Sequence, residues 1–168
     1  EVLFLSELES GSRVVSLGAV AVRPELEAVA AELEERASRA GVALAVEGDP
    51  SIELEIRPRM LRVVAQNLAE NAIRYAGPGA TFTLAIEHGG DEVVLRGTDD
   101  GVGVRETDLA RLFERFFRAD RARASRGTGL GLAIVKHIVT QGGGTVEALP
   151  IPHDCTDGFM GAFWRRPE

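Results

Sequence analysis

The spacing of apolar positions along this chain changes several times, and each change marks a new element. Residues 1–11 read as the last turns of an amphipathic helix ended by Gly11. Residues 14–22, rich in valine and small side chains, predict a short strand. Pro24 is well suited to the first position of a helix. From there Leu26, Val29, Ala30, Leu33 and Ala37 recur on one face as far as Ala40, where Gly41 stops the run. Alternation over 42–47 predicts a strand, and 51–56 a further extended piece. Pro58 opens a second helix on which Leu61, Val64, Leu68 and Ala72 form an apolar stripe. That helix ends near Gly77-Pro78-Gly79.

Beyond it, 81–87 and 92–98 alternate with period two and are joined by His88-Gly89-Gly90-Asp91, a hairpin signal. A glycine-containing turn (99–103) precedes a short helix with Leu109, Leu112, Phe113 and Phe116 on one side. An arginine-rich loop over 118–126 then leads into Gly127-Thr128-Gly129-Leu130-Gly131-Leu132. A last helix runs to about Gln141, and three glycines precede an expected strand over 145–149. Helices and strands interleave around a hairpin. The order predicts an α/β fold, a mixed sheet with helices packed on it.

Composition narrows the possible roles. A chain of 168 residues with 45% hydrophobic content can form one well-cored domain plus a short appendage. A net charge of −7 leaves no basic stripe to neutralise a nucleic-acid backbone, so no nucleic-acid partner is expected. The single cysteine, Cys155, excludes an internal disulfide and has no neighbours that would activate it. No apolar run approaches the roughly 20 residues needed to span a bilayer, and no signal peptide opens the chain. The chain starts inside a helix and without methionine, so it is expected to be a soluble piece of a longer protein.

The second helix carries the first chemical signal. Asparagine is a poor helix former, because its amide competes for backbone hydrogen bonds. Yet Asn67 and Asn71 stand one turn apart in an apolar pattern. At about 100° per residue, they share a face with Arg74, and Tyr75 lies beside them. Amide oxygens, a cation and an aromatic ring there suit a metal, a phosphate and a flat base; a surface helix with solvated asparagines is the plainer alternative. In Asp99-Asp100-Gly101-Val102-Gly103, a carboxylate could accept a hydrogen bond from an exocyclic amine while the glycines let a ligand approach; an ordinary Asp/Gly turn is the alternative. The glycines at 127, 129 and 131 expose N–H groups at a helix N-terminus, which favours phosphate; a flexible linker is the alternative. This segment is neither a P-loop nor a dinucleotide fingerprint. Between the two glycine turns, Phe113, Phe116 and Phe117 could anchor a flap from which Arg118, Arg121, Arg123 and Arg126 reach phosphate oxygens, or the segment could be a solvated basic loop.

In order and spacing, these segments resemble the N, G1, F and G2 boxes of the catalytic ATP-binding domain of sensor histidine kinases, a superfamily shared with DNA gyrase, Hsp90 and MutL. Asn67-Leu68-Ala69-Glu70-Asn71-Ala72-Ile73-Arg74-Tyr75 resembles the N box and Asp99-Asp100-Gly101-Val102-Gly103-Val104 the G1 box. Leu112-Phe113-Glu114-Arg115-Phe116-Phe117-Arg118-Ala119-Asp120 resembles the F box, and Gly127-Thr128-Gly129-Leu130-Gly131-Leu132-Ala133-Ile134-Val135-Lys136 the G2 box. The likeness covers roughly residues 1–149.

The resemblance implies a two-layer α/β sandwich of the Bergerat type, with helices on one face of a mixed, mostly antiparallel sheet. It implies that residues 1–12 end a dimerisation and phosphoacceptor helix and that 13–168 form the catalytic domain, with an ATP lid over about 104–126. ATP and Mg²⁺ are the implied cofactors. Asn71, with Asn67, would hold the metal. Arg74 would contact phosphate, Tyr75 would pack along adenine, and Asp99 would read the adenine amine. Gly101 and Gly103 would let the nucleotide approach, and Gly127, Thr128, Gly129, Leu130 and Gly131 would cradle phosphate. Arg118 would neutralise the transferring γ-phosphoryl group, and Glu70 would orient or polarise the acceptor. The implied partners are a dimerisation domain, its own or a partner protomer's, and a response regulator. The parent would be a membrane-anchored homodimer with this domain in the cytoplasm. A serine kinase acting as an anti-sigma factor, or an ATP-binding regulatory module without transfer activity, is the alternative.

Three features depart from the family pattern. None of His88, His137 and His153 lies in a phosphoacceptor-like run, so the substrate histidine is expected elsewhere. Arg57 stands where an acidic residue often caps the N-box helix. The tail offers only Gly161-Ala162-Phe163-Trp164 for the closing strand, which is therefore expected to be short.

Overall fold

The computed structural model describes residues 18–119 and 127–149, together with the backbone of 164–167. The helix end over 1–11, Arg121, Arg123, Arg126, His153 and Cys155 lie outside the described residues. The elements are β1 (Ala19–Ala21), α1 (Val22–Ala40), β2 (Ala43–Gly48), β3 (Glu53–Glu55), α2 (Pro58–Tyr75), β4 (Thr81–Gly89), β5 (Glu92–Asp99), α3 (Glu106–Leu109), α4 (Gly131–Gln141) and β6 (Trp164–Pro167).

Helix α1 begins two residues before Pro24, which sits in the first turn where its missing N–H costs no bond. It buries Val22, Leu26, Val29, Leu33 and Ala37 and ends at Gly41, with Val42 N–H donating to the Ala37 carbonyl at 2.9 Å. Pro58 is the first residue of α2, and Arg57 provides no side-chain cap. The Arg57 carbonyl accepts from Met60 and Leu61 at 2.9 and 3.2 Å, so the helix starts on backbone bonds. The buried stripe of α2 (Leu61, Val64, Ala65, Leu68, Ala69 and Ala72) is wide because the helix packs against both α1 and α4 as well as the sheet.

The main sheet has the order β2-β4-β5-β6. β2 runs parallel to β4, whereas β4–β5 and β5–β6 are antiparallel. A separate two-stranded ribbon pairs β1 with β3. The mixed, mostly antiparallel sheet under helices is the predicted sandwich. Phe82, Leu84 and Ile86 of β4 and Val93, Leu95, Gly97 and Asp99 of β5 form its buried rows. A carboxylate at the end of such a row is the first sign of a site.

Two expectations are corrected. Residues 145–149 make no strand beyond a single bridge at Thr145; the neighbour of β5 in the sheet is β6, paired over 92–95. Val146 packs on the core instead. The short helix after Gly103 spans only Glu106–Leu109, and the expected apolar side is divided: Leu112 packs with Leu109, Phe113 packs on the main core, and Phe116 joins neither. Its backbone sits at φ 63°, which turns the side chain outward to 65% exposure. The closing strand β6 is four residues long and lies at Trp164–Pro167, later than the expected 161–164, of which 161–163 lie outside the described residues.

Leu61 is fully buried in α2. Leu61→Ala should cost about 2–5 kcal/mol of unfolding free energy in urea titration, with an unchanged denaturant slope.

Candidate functional site

A cavity of ≈ 380 Å³ opens between the exposed edge of α2, the ends of β4 and β5, residues 102–119 and the start of α4. Its polar wall is built on α2. The Asn67 amide nitrogen donates to the Val63 carbonyl at 2.8 Å, which fixes the amide and turns its oxygen toward α4. A Cβ at Gly131 would lie 3.0 Å from Asn67 Oδ1 and 3.9 Å from Asn71 Oδ1. Both amide oxygens therefore converge on the first residue of α4, whose N-terminal amides have no side-chain cap.

Glu70 shares this wall and accepts from Arg36 of α1 at 2.7 Å. The Arg74 guanidinium stands 5.9 Å from the centroid of the Tyr75 ring. Both side chains meet Gly127, where a Cβ would lie 2.8 Å from Tyr75 Oη and 3.1 Å from Arg74 Nη1.

The turn after β5 is fixed on two sides. Asp99 is buried, and its Oδ1 accepts the Gly101 N–H at 2.9 Å. Val102 N–H donates to the Ala76 carbonyl at 3.0 Å, and Gly101 lies so close that a Cβ would be 2.3 Å from that oxygen. Asp100 Oδ1 accepts the Thr81 N–H at 2.6 Å. The turn is thus fastened to the end of α2 and the start of β4, which holds the Asp99 carboxylate in place.

Val104, Leu112, Phe117 and Arg118 line the side of the cavity opposite α2. The Arg111 guanidinium covers the Phe117 ring at 4.4 Å. Phe116 N–H donates to the Gly129 carbonyl at 2.9 Å, and Gly129 has φ 71°. A Cβ at Gly129 would fall 2.8 Å from the Phe116 Cα, so only glycine fits both the dihedral and the space. The lid segment and the glycine segment are joined backbone to backbone.

Of the residues singled out from sequence, Asn67, Glu70, Asn71, Arg74, Tyr75, Asp99, Gly103, Arg118, Thr128, Gly129 and Gly131 line the cavity. Gly101 lies behind it against Ala76, Gly127 lies against Arg74 and Tyr75, and the Leu130 side chain is buried in the core. Leu68, Phe82, Gly97, Val102 and Leu132 also line it and were not anticipated. A signal for one of them was present: a glycine at 97 inside an apolar strand marks close approach. Asp49, in the turn after β2, has its carboxyl held below the usual range by the Ser51 hydroxyl and then the Ser51 N–H; that turn is not part of the cavity.

A helix face with two amides and an arginine, a carboxylate at a strand end and a glycine segment opening a helix together define a nucleotide-binding domain. The chain belongs to the histidine kinase-, DNA gyrase B- and HSP90-like ATPase family, whose model matches residues 56–160. The curated relatives it resembles are sensor histidine kinases. It is 32% identical over 149 residues to the sensor-like histidine kinase SenX3 of Mycolicibacterium smegmatis, covering 88% of this chain and 39% of that protein. It is 31% identical over 155 residues to the sensor protein IrlS of Burkholderia pseudomallei, covering 91% of this chain and 33% of that protein. The chain therefore spans well under half the length of these relatives. Full-length ShkA in complex with AMPPNP superposes with a TM-score of 0.79 at 27% identity, covering 99% of this chain and 34% of that one. The mycobacterial sensor histidine kinase MprB shares the fold, with a TM-score of 0.76 at 24% identity over 90% of this chain and 99% of that one.

Gly129→Ala should separate lid from glycine segment. Affinity for a non-hydrolysable ATP analogue is expected to fall about tenfold in calorimetric titration, a loss matched by the roughly 1–2 kcal/mol strain of a left-handed alanine.

Proposed function

We propose that the chain binds Mg-ATP and passes the γ-phosphoryl group to a histidine of a dimerisation and phosphoacceptor domain, for relay to an aspartate of a response regulator. The observation that carries this reading is the convergence of the Asn67 and Asn71 amide oxygens on the N-terminus of α4. Phosphate at that helix end would be met by N–H groups of Gly129, Leu130 and Gly131 and by the positive end of the helix dipole.

The donors fit Mg²⁺. Among the described residues no group of three or more His, Cys, Asp or Glu side chains gathers to hold a metal. A hard cation here would take Asn71 and Asn67 oxygens, with water and phosphate oxygens completing its shell. Mg²⁺ bound there would neutralise the phosphates and orient them.

Arg74 contacts phosphate from α2, and Arg118 faces it from the lid, where its charge offsets the charge on the transferring group. Tyr75 packs along adenine, and Asp99, fixed by the Gly101 N–H, accepts from the exocyclic amine. Gly103 leaves room beside the base. Glu70, held by Arg36, orients the acceptor imidazole, whose nitrogen attacks the γ-phosphorus as the bond to the β-phosphate oxygen breaks. Positioning and charge neutralisation carry such a transfer, so no nucleophile is required of this domain.

On this reading the catalytic domain is 13–168 with a lid over about 104–126, and 1–12, which lie outside the described residues, belong to the phosphoacceptor domain. The parent is a homodimer anchored in the membrane with this domain in the cytoplasm. No helix among the described residues is long and apolar enough to cross a membrane.

Asn71→Ala should weaken Mg-ATP binding at least about tenfold by calorimetry, and an unchanged affinity would remove the metal assignment. Labelled ATP mixed with this chain and its phosphoacceptor domain should leave acid-labile label on histidine. Acid-stable label on serine would favour an anti-sigma-factor type of kinase. Arg118→Ala should slow transfer by about a hundredfold while affecting affinity less.

A further inference from the structure

A glycine inside a strand gives up much backbone freedom on folding and leaves a gap in its row of side chains. Gly97 is such a residue, buried between Leu95 and Asp99 on the helix-facing row of β5. A neighbour fills its gap. A Cβ at Gly97 would lie 3.1 Å from Phe82 Cζ, 3.2 Å from Phe82 Cε2 and 3.5 Å from Leu68 Cδ1. The tip of the Phe82 ring therefore rests on the Gly97 backbone. In the β4–β5 register Phe82 stands directly opposite Asp99, the one buried charged residue among those described. Phe82, Gly97, Leu68 and Asp99 all line the cavity.

We infer that Gly97 and Phe82 act as one specificity-determining unit: together they set the depth of the base end of the cavity and exclude purines whose exocyclic amine carries a bulky group. The inference rests on the nucleotide reading above, with Asp99 at the amine. The wall is close-packed and cannot yield to added atoms without displacing a neighbour. A Cβ at 97 would press on the tip of the Phe82 ring, which must shift by a few tenths of an ångström within the cavity wall that both residues line. A smaller residue at 82 would leave a hollow opposite Asp99, where a substituent on the amine would fit.

Affinities for ATP and N6-benzyl-ATP, measured by calorimetry on the wild-type chain and three variants, test this. The wild type should prefer ATP by at least about tenfold. Phe82→Leu should narrow that preference about tenfold, and Gly97→Ala should weaken ATP binding by a similar factor. The double variant Gly97→Ala/Phe82→Leu should recover ATP affinity to within about threefold of wild type, a rescue that a purely structural role for Gly97 would not produce. Circular dichroism and melting temperature report folding of each variant. If Gly97→Ala fails to fold, the ratio for Phe82→Leu decides. An unchanged ratio in a folded, ATP-binding Phe82→Leu overturns the inference, as does a Gly97→Ala chain that binds ATP normally. A wild-type chain that binds no ATP instead overturns the nucleotide reading.

Discussion

Helix α2 has to satisfy two demands with a single rotation about its axis. Its apolar stripe fills the space between α1, α4 and the sheet, and the adjoining edge carries Asn67, Asn71 and Arg74. A turn of one residue, about 100°, would bury the amides and expose the leucines. The packing that holds the domain together is therefore also what aims the ligand-facing side chains. The Asn67 amide bond to the Val63 carbonyl completes the arrangement, because it fixes which amide atom faces α4. The remainder of the cavity is assembled around this edge by backbone contacts: the 99–103 turn on the Ala76 carbonyl, and the lid segment on Gly129.

Those contacts explain the crowding of glycines around the cavity. At Gly101 and Gly129 the positions a side chain would take are occupied by the Ala76 carbonyl and the Phe116 backbone, and at Gly131 a Cβ would press on the Asn67 amide oxygen. The glycines do more than leave room for a ligand; they bring separate parts of the chain to within van der Waals distance, so the cavity wall is one connected surface.

Much of this was legible in the chain because periodicity and punctuation agree. The stripe on α2, the stop at Gly41, the Pro58 start and the hairpin each have a local physical cause, and each stands where expected. Asn67 and Asn71 were visible as poor helix formers in a good helix. What remained hidden depends on partners far away in sequence. The residues 145–149 alternate like a strand, but the strand beside β5 in the sheet comes from the far end of the chain, β6. Phe116 fits an apolar helical face, but its N–H donates to the distant Gly129 carbonyl and its backbone is left-handed. Phe82 read as an ordinary inward residue of β4, and nothing local shows that its ring spans to Gly97.

The parallel pairing of β2 with β4 has a mechanical consequence. The chain that joins these neighbouring strands contains all of α2, so the ligand-facing helix is tethered at both ends to hydrogen-bonded partners. It cannot swing away as a hinge without first parting the two strands. Its amide protons should then exchange with solvent more slowly than those of a helix tethered to the sheet at one end only. The wall that carries Asn67 and Asn71 is thereby built into the connection between two sheet strands and not hung from one of them.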